Sequence, residues 1–550
     1  MTGRAVRGIV SKMRSRLSLY RLPLLSGLFI GTSYIPFPPW ALLFCFVPLW
    51  LFWIREESVR KILLGGWIAQ FVFCLIGFHW LALTVHDFGH LPWPSALLVL
   101  LLFCAFGHLF FVLAGLAFAL LRDRLHLSRA AQLGLLPCVT ALCGRAVPMI
   151  FPWNLGYPWL GAGLPAFQLA EFVGFEGLGA LTLFLNLVFL SAWEHRKDRK
   201  GALLLGAAAV FLLLINGAGW LIGKRVPPPD ATATVLVVQG NVGNLAKARA
   251  ETGEGFREEI LLRHFRLTRQ GLGQATGRAP DFVVWPETAF PGILPSPPPD
   301  AGIPGILAGF VRSAGTALVT GAWGTDEGSG KKTNSLFFFG RNGIMADARY
   351  DKVRLLVFGE YVPFSDRFPG VKRWFPGAAD FARGPGPGTR RIGALRVGPQ
   401  ICYEGLFPDV SRSLADQGAQ IFVNVTNDSW FGTTSEPHQH LFMTLARGIE
   451  FRRPVVRATN TGISAAMRAD GTLLDLSPLH SEWTHNYEIP YRIEPSPTFY
   501  QEYGSWFVPS VLWLTVSGLL AAGRRGRQGA PDPAPPAGTV RSTAPRGRRK

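Results

Sequence analysis

Charged residues are scarce in this 550-residue chain. Asp, Glu, Lys and Arg make up 17% of it, where an average soluble protein carries roughly 25%. Hydrophobic residues reach 49%. That balance excludes intrinsic disorder over the bulk of the chain and argues against a wholly soluble protein. Cysteine is sparse as well: of six, five (Cys45, Cys74, Cys104, Cys138 and Cys143) fall in long apolar runs. No Gly-rich loop follows a strand and opens a helix, so nucleotide binding is not indicated. His86 and His90 sit in a Gly/Pro-rich stretch, and His438 and His440 have no Cys or carboxylate ligand at a familiar zinc spacing. No metal and no cofactor are expected.

Positive charge is plentiful, at a net +19, but it is unevenly placed. Residues 1–21 hold six Lys/Arg and no acid, and residues 523–550 hold eight against one acid. Residues 226–505 are nearly neutral, with 28 Lys/Arg against 27 Asp/Glu. A nucleic-acid partner is therefore not indicated. Apolar runs at about 19–35, 40–54, 62–84, 95–121, 130–149, 166–192, 202–222 and 506–522 approach the length that crosses roughly 30 Å of hydrocarbon. The loops between them alternate in charge. Loops 55–61, 122–129 and 194–200 are basic, whereas 36–39, 86–94 and 150–165 contain no Lys or Arg and are rich in Trp, Tyr, Phe and Pro. This is the positive-inside pattern.

The organisation it predicts has five parts. Residues 1–18 are a basic cytoplasmic N-terminus and 19–225 a membrane domain of about seven spans. Residues 226–505 form an extracytoplasmic domain, 506–522 a final span, and 523–550 a disordered basic cytoplasmic tail. The first apolar run has no small-residue cleavage site after it, so it reads as a retained anchor.

Within 231–475, strand-like and helix-like segments alternate. Strands are predicted at 231–241, 281–287, 316–324, 334–340, 391–404 and 421–428, with helices at 256–272 and 437–452. A layered α/β domain follows, with chemistry expected at strand C-termini. Cys402 is the one cysteine of this block. An unpaired thiol outside the cytoplasm is an accident, an intermolecular link or a nucleophile. It ends the strand VGPQI and precedes a helical stretch, where a helix N-terminus favours the thiolate. Glu287 ends VVWPE, Lys352 follows a strand in YDK, and Glu360 lies in an aromatic loop. Each of these taken singly reads as an ordinary surface or loop residue.

Together the motifs resemble a known family. VVQGN (237–241), WPE (285–287), TNSL (333–336), DKVRLLVFGEYVPF (351–364), CYEGLFPD (402–409), NVTNDSWFG (424–432) and RATNTGISA (457–465) resemble the apolipoprotein N-acyltransferases, a membrane branch of the nitrilase (carbon–nitrogen hydrolase) superfamily. The resemblance covers residues 19–522. One departure is Lys247-Ala248, where an aromatic residue is expected.

The resemblance implies an αββα nitrilase-like domain with a Glu287–Lys352–Cys402 triad. Glu287 is the implied base, Lys352 the oxyanion donor and Cys402 the nucleophile. Glu360 supports Lys352, while Tyr403 and Glu404 shape the acyl or amine site. The implied reaction moves an acyl chain from a phospholipid, through a Cys thioester, to the N-terminal amine of an S-diacylglyceryl-cysteine apolipoprotein. It would take place at a bacterial inner membrane. Apolar residues 355–358, with Phe358, and then Trp374 and Phe375, are candidates for a lipid gate, and core packing is the alternative. Two other readings remain open from the sequence: a membrane-attached amidase acting on a small molecule, and a non-catalytic receptor or transporter.

Overall fold

The structure is a computed structural model and describes residues 18–87, 89, 91–243, 254–275, 277–374 and 378–528. The basic N-terminus, the far C-terminal tail, His90, Lys247-Ala248 and Phe375 lie outside the described residues. The first part of the chain is helical. Its helices are α1 Arg21–Thr32, α2 Val47–Arg55, α3 Val59–Gly77, α4 Trp80–Asp87, α5 Trp93–Phe106, α6 Phe110–Leu125, α7 Arg129–Ala146, a short α8 Tyr157–Gly161, α9 Ala170–Glu194 and α10 Arg199–Lys224.

Several predicted runs are interrupted. Run 40–54 is turns up to Phe46, then a nine-residue helix with Pro48 at its start. Run 62–84 breaks at Phe78-His79, and run 95–121 breaks at 107–109, after α5. Among the described residues, five stretches are long and apolar enough to cross a membrane: Val59–Gly77, Trp93–Leu125, Pro165–Glu194, Arg199–Lys224 and Phe499–Ala522. The segments 19–35, 40–54 and 130–149 are not among them. In α9 the run bends at Gly174, whose φ of 66° and ψ of 173° leave the helical region. A side chain there would meet the Tyr500 ring at 2.3 Å, so glycine is required twice over.

The loops segregate by charge in space as well as in sequence. Arg122, near the end of α6, donates to the carbonyls of Trp53 and Glu56, and Arg129 pairs with Glu194. Basic loops 55–61, 122–129 and 194–200 therefore meet at one end of the helices. At the other end, Gln439 donates to the Ile35 and Gly77 carbonyls, and Thr84 donates to the Trp430 carbonyl. The loops without Lys or Arg thus abut the strand-bearing unit.

That unit runs β1 Ala231–Gln239, α11 Glu254–Gly273, β2 Phe282–Val284, α12 Gly302–Ala314, β3 Ala317–Thr325, β4 Lys332–Phe339 and β5 Tyr350–Asp351. It continues β6 Arg390–Ile392, β7 Leu395–Ile401, α13 Pro408–Asp416, β8 Ile421–Thr426, α14 Glu436–Phe451, β9 Val455–Thr459, β10 Ala465–Met467 and β11 Trp483–Tyr491. Helix α15, Phe499–Gln528, closes the fold.

Two sheets result, ordered β11-β1-β2-β3-β4-β5 and β10-β9-β8-β7-β6. The three central strands of the smaller sheet, β7, β8 and β9, are parallel, as are β1, β2 and β3 of the larger. Strand alternation explains the layering. Val235 and Val237 point into the sheet–sheet core with Val397, Val423 and Val456. Leu236 and Val238 point the other way, onto Phe265, Leu307 and Phe310 of α11 and α12.

The outer face of the smaller sheet is different. Phe422 and Met467 pack with Leu441, Leu445 and Ile449 of α14 in one continuous core with Trp50, Phe73 and Leu178 of the membrane helices. The architecture is αββα, with one outer layer fused to the membrane helices.

Candidate active site

The site forms where the C-terminal ends of both sheets meet. From the larger sheet, β2 leads through Trp285-Pro286 to Glu287, and β5 leads directly to Lys352; both side chains are buried. From the smaller sheet, β7 ends at Ile401 and the next residue is Cys402, with a φ of 52°. Left-handed backbone at a non-glycine costs about 1–2 kcal/mol. The chain holds Cys402 there, at the start of a 3-10 turn, Cys402–Leu406, ahead of α13.

Lys352 Nζ donates to Glu360 Oε1 at 2.8 Å and lies 3.7 Å from Glu287 Oε1. Asn334, from β4, bridges the two acids: its Nδ2 donates to Glu287 Oε1 at 2.6 Å and to Glu360 Oε1 at 2.9 Å. Glu360 Oε2 also accepts the Leu356 backbone N–H. Burial pulls the Lys352 ammonium down, but Glu360, Cys402 and Glu287 outweigh it, and the net shift is upward. Lys352 is a fixed cation. Burial pushes the Cys402 thiol well up, Glu287 adds to this, and Lys352 offsets it only in part. The expectation of a helix-favoured thiolate is therefore corrected. The turn after Cys402 is a short 3-10 segment, and burial wins. The balance of these effects lifts the Cys402 thiol pKa above its ordinary value.

The side chains of Tyr403 and Glu404, which follow Cys402, are both buried. Glu404 is fully buried and accepts from the backbone N–H groups of Val353, Arg354 and Ile401 and from the Tyr350 hydroxyl. It ties the segment after Lys352 to the strand before Cys402. Tyr403 turns toward the membrane helices: its hydroxyl donates to the Ile150 carbonyl, and its ring packs on Phe151 and Phe407. Both work as clamps, because each side chain is committed to the interior.

The gate segment divides. Leu355 is core, whereas Phe358 is 45% exposed at a φ of 63° and Phe364 is 78% exposed. Trp374 ends a 3-10 turn, Pro369–Trp374. Phe431 is buried with its ring 5.1 Å from Trp80.

Asn334 and Asn424 were not among the residues expected from the sequence, although they lie in the TNSL and NVTNDSWFG motifs. Nor were the acids beside His440. Glu436 stands one turn earlier on α14, and Asp428 Oδ1 lies 3.0 Å from His440 Nδ1. Among the described residues these three form the single group with metal-ligand potential. Asp428, however, is already paired with Arg457 at 2.8 Å, and a guanidinium in contact opposes a cation.

Two mixed sheets with parallel centres, and an acid, an ammonium and a thiol where their C-terminal ends meet, define the class: carbon–nitrogen hydrolase. The model of that family matches residues 235–490, and the model of the apolipoprotein N-acyltransferase N-terminal domain matches residues 26–188. An apolipoprotein N-acyltransferase from Bdellovibrio bacteriovorus is 43% identical over 514 residues, covering 92% of this chain and 93% of that one. One from Geobacter metallireducens is 32% identical, covering 91% and 93%. Among solved structures, Saccharomyces cerevisiae Nit3, a member of branch 10 of the nitrilase superfamily, aligns with a TM-score of 0.36 at 16% identity, over 48% of this chain and 91% of that one. The chain belongs to the apolipoprotein N-acyltransferase family. It is a membrane acyltransferase of lipoprotein N-acylation.

Proposed function

We propose that Cys402 carries the acyl chain as a thioester between a phospholipid donor and the N-terminal amine of a diacylated apolipoprotein. The observation that carries this reading is the Lys352 ammonium, held between Glu360 and Glu287 beside a protonated Cys402. Splitting an ester-to-amide transfer into two steps through a covalent intermediate lowers each barrier.

In the first step Glu287 takes the thiol proton and the sulfur attacks the ester carbonyl. The tetrahedral oxyanion forms against Lys352 and the Tyr403 backbone N–H. One such donor contributes about 3–4 kcal/mol to the transition state. Collapse breaks the ester C–O bond, and Glu287 returns its proton to the departing lysophospholipid alkoxide. In the second step the acceptor amine attacks the thioester and gives a proton to Glu287. The C–S bond breaks, and that proton returns to the Cys402 thiolate. Atoms and protons balance over the cycle.

Exposed Phe358 and Phe364 lie within a few residues of Glu360 and suit entry of lipid. We place residues 226–505 outside a bacterial inner membrane and the three basic loops in the cytoplasm, by the positive-inside rule. A reporter fused at residue 300 is expected outside and one at 197 inside. Both on one side would reverse the topology.

The chemical test is incubation of the purified full chain with phospholipid labelled in its acyl chain. A hydroxylamine-labile label on Cys402, discharged by an S-diacylglyceryl-cysteinyl peptide, is the expected result. Release of free fatty acid without transfer would make the protein a hydrolase.

A further inference from the structure

Against the Cys402 carbonyl lies a second polar group that the reaction as written does not use. Arg457, on β9, is fully buried. Its Nη1 donates to Asn424 Oδ1 at 2.7 Å, and its Nη2 donates to Asp428 Oδ2 at 2.8 Å. A guanidinium only donates, so Asn424 presents its oxygen to Arg457 and its Nδ2 to the other side. There Asn424 Nδ2 donates to the Cys402 carbonyl at 3.3 Å. His440, anchored by Asp428 at 3.0 Å, places Nε2 3.2 Å from the same carbonyl.

Close approach is built in. A side chain at Gly462 would meet Asp428 Oδ2 at 2.1 Å, and one at Gly405 would meet Asn424 Nδ2 at 3.1 Å. Asn424 is reached through parallel register, since it pairs with Gln400 on the strand that ends at Ile401, the residue before Cys402.

This carbonyl belongs to the peptide whose N–H is that of Tyr403. Fixing the oxygen fixes the peptide plane, and the plane decides where that N–H points. Hydrogen bonds accepted by a carbonyl also polarise its amide and strengthen the N–H as a donor.

We propose that Asn424, set by Arg457, is a positioning residue for acyl transfer, one that aims the Tyr403 N–H at the oxyanion through the Cys402 carbonyl. The proposal rests on the thioester reading above. It separates two properties of one cysteine: proton transfer at the sulfur belongs to Glu287 and Lys352, and the aim of the oxyanion donor belongs to the Arg457–Asn424 pair.

The test compares two reactions of Cys402 in the full chain. Acylation by phospholipid passes through a carbonyl oxyanion. Alkylation by iodoacetamide is a displacement at a methylene and forms none. Asn424→Ala is expected to slow acylation at least tenfold in kcat with little change in KM, while alkylation stays within about twofold. Asn424→Asp, of equal size, still accepts from Arg457 but cannot donate, and should behave alike if the alanine variant folds poorly. Acylation and alkylation falling together would mean that Asn424 merely seats the sulfur, and would overturn the proposal; so would no fall in either. If the unaltered protein never acylates Cys402 while its sulfur alkylates normally, the thioester reading itself falls, and this inference with it.

Discussion

The two sheets contribute unlike things to one site. The six-stranded sheet supplies charge: Glu287 after β2, Lys352 after β5 and the bridging Asn334 on β4. The five-stranded sheet supplies the sulfur, and behind it a neutral-to-paired scaffold of Asn424, Arg457, Asp428 and His440. They also differ in what covers them. Helices α11 and α12 shield the first sheet by themselves, whereas α14 shields the second in a core shared with membrane helices. The difference teaches that Cys402, the proposed nucleophile, is anchored to the membrane part and that the charges are brought to it across the sheet–sheet core. Glu404 is the tie, since its carboxylate holds backbone from both sides.

The comparison breaks most sharply at its charged half. Glu287→Gln leaves a buried thiol without a base, so thioester formation should fall by at least about three orders of magnitude, read as label on Cys402. Lys352→Ala should cost about 10²–10³ in both half-reactions, because each passes through an oxyanion. Separate rates for acylation and for discharge of preformed thioester check this, and a loss confined to one step would contradict the role. Lys352→Ala also predicts a pH effect. The thiol pKa is already raised, and the ammonium is the one partner that lowers it by charge. Alkylation of the unaltered protein should therefore climb with pH above neutrality, and in the variant the climb should move to higher pH. A plateau below pH 7 in the unaltered protein would show a resting thiolate instead.

At the tie between sheets a smaller effect is expected. Glu404→Gln replaces an acceptor-only group with one whose amide faces backbone donors. Leaving a buried donor unpaired costs about 1–3 kcal/mol. Thermal unfolding should fall by a few degrees and acylation about tenfold. Smallest of all, Phe364→Glu at the exposed loop should slow both steps severalfold with no loss of thermal stability, because the side chain is not in the core. Unchanged rates would remove lipid entry from this segment.

Much of this was legible in the sequence, and the misses have physical causes. Valine-rich runs such as ATATVLVVQ declared β1, and strand ends located the acid, the lysine and the thiol. Helix α12 was not read, because GIPGILAGFVRSA holds three glycines and a proline within its span, and local propensity denies what packing of Leu307 and Phe310 enforces. Strand β11 was missed as well. Its residues alternate poorly because it is an antiparallel edge, half-open on one side. The run 391–404 looked continuous, but Gly393, at a φ of 59°, turns it into the β6–β7 hairpin. Breaks at Phe78-His79 and at 107–109 were invisible to hydropathy, since a break between apolar residues does not change composition. Glu404 and Tyr403 sat beside the nucleophile and were assigned to substrate, but adjacency in a chain does not reveal the face to which a side chain turns.

The shared core beneath α14 has a geometric consequence. An enzyme hung from its anchor by a hinge samples many heights above the bilayer and meets tethered acceptors wherever they float. Here Gln439, Tyr403 and Arg452 are each bonded to the membrane part, to Ile35, Ile150 and Glu171. The sulfur therefore stands at one fixed position relative to the membrane helices. On the proposed function, a lipid-tethered peptide presents its amine at that position, so the span between an acceptor's lipid and its first peptide bond is measured by the protein, as a gauge measures thickness.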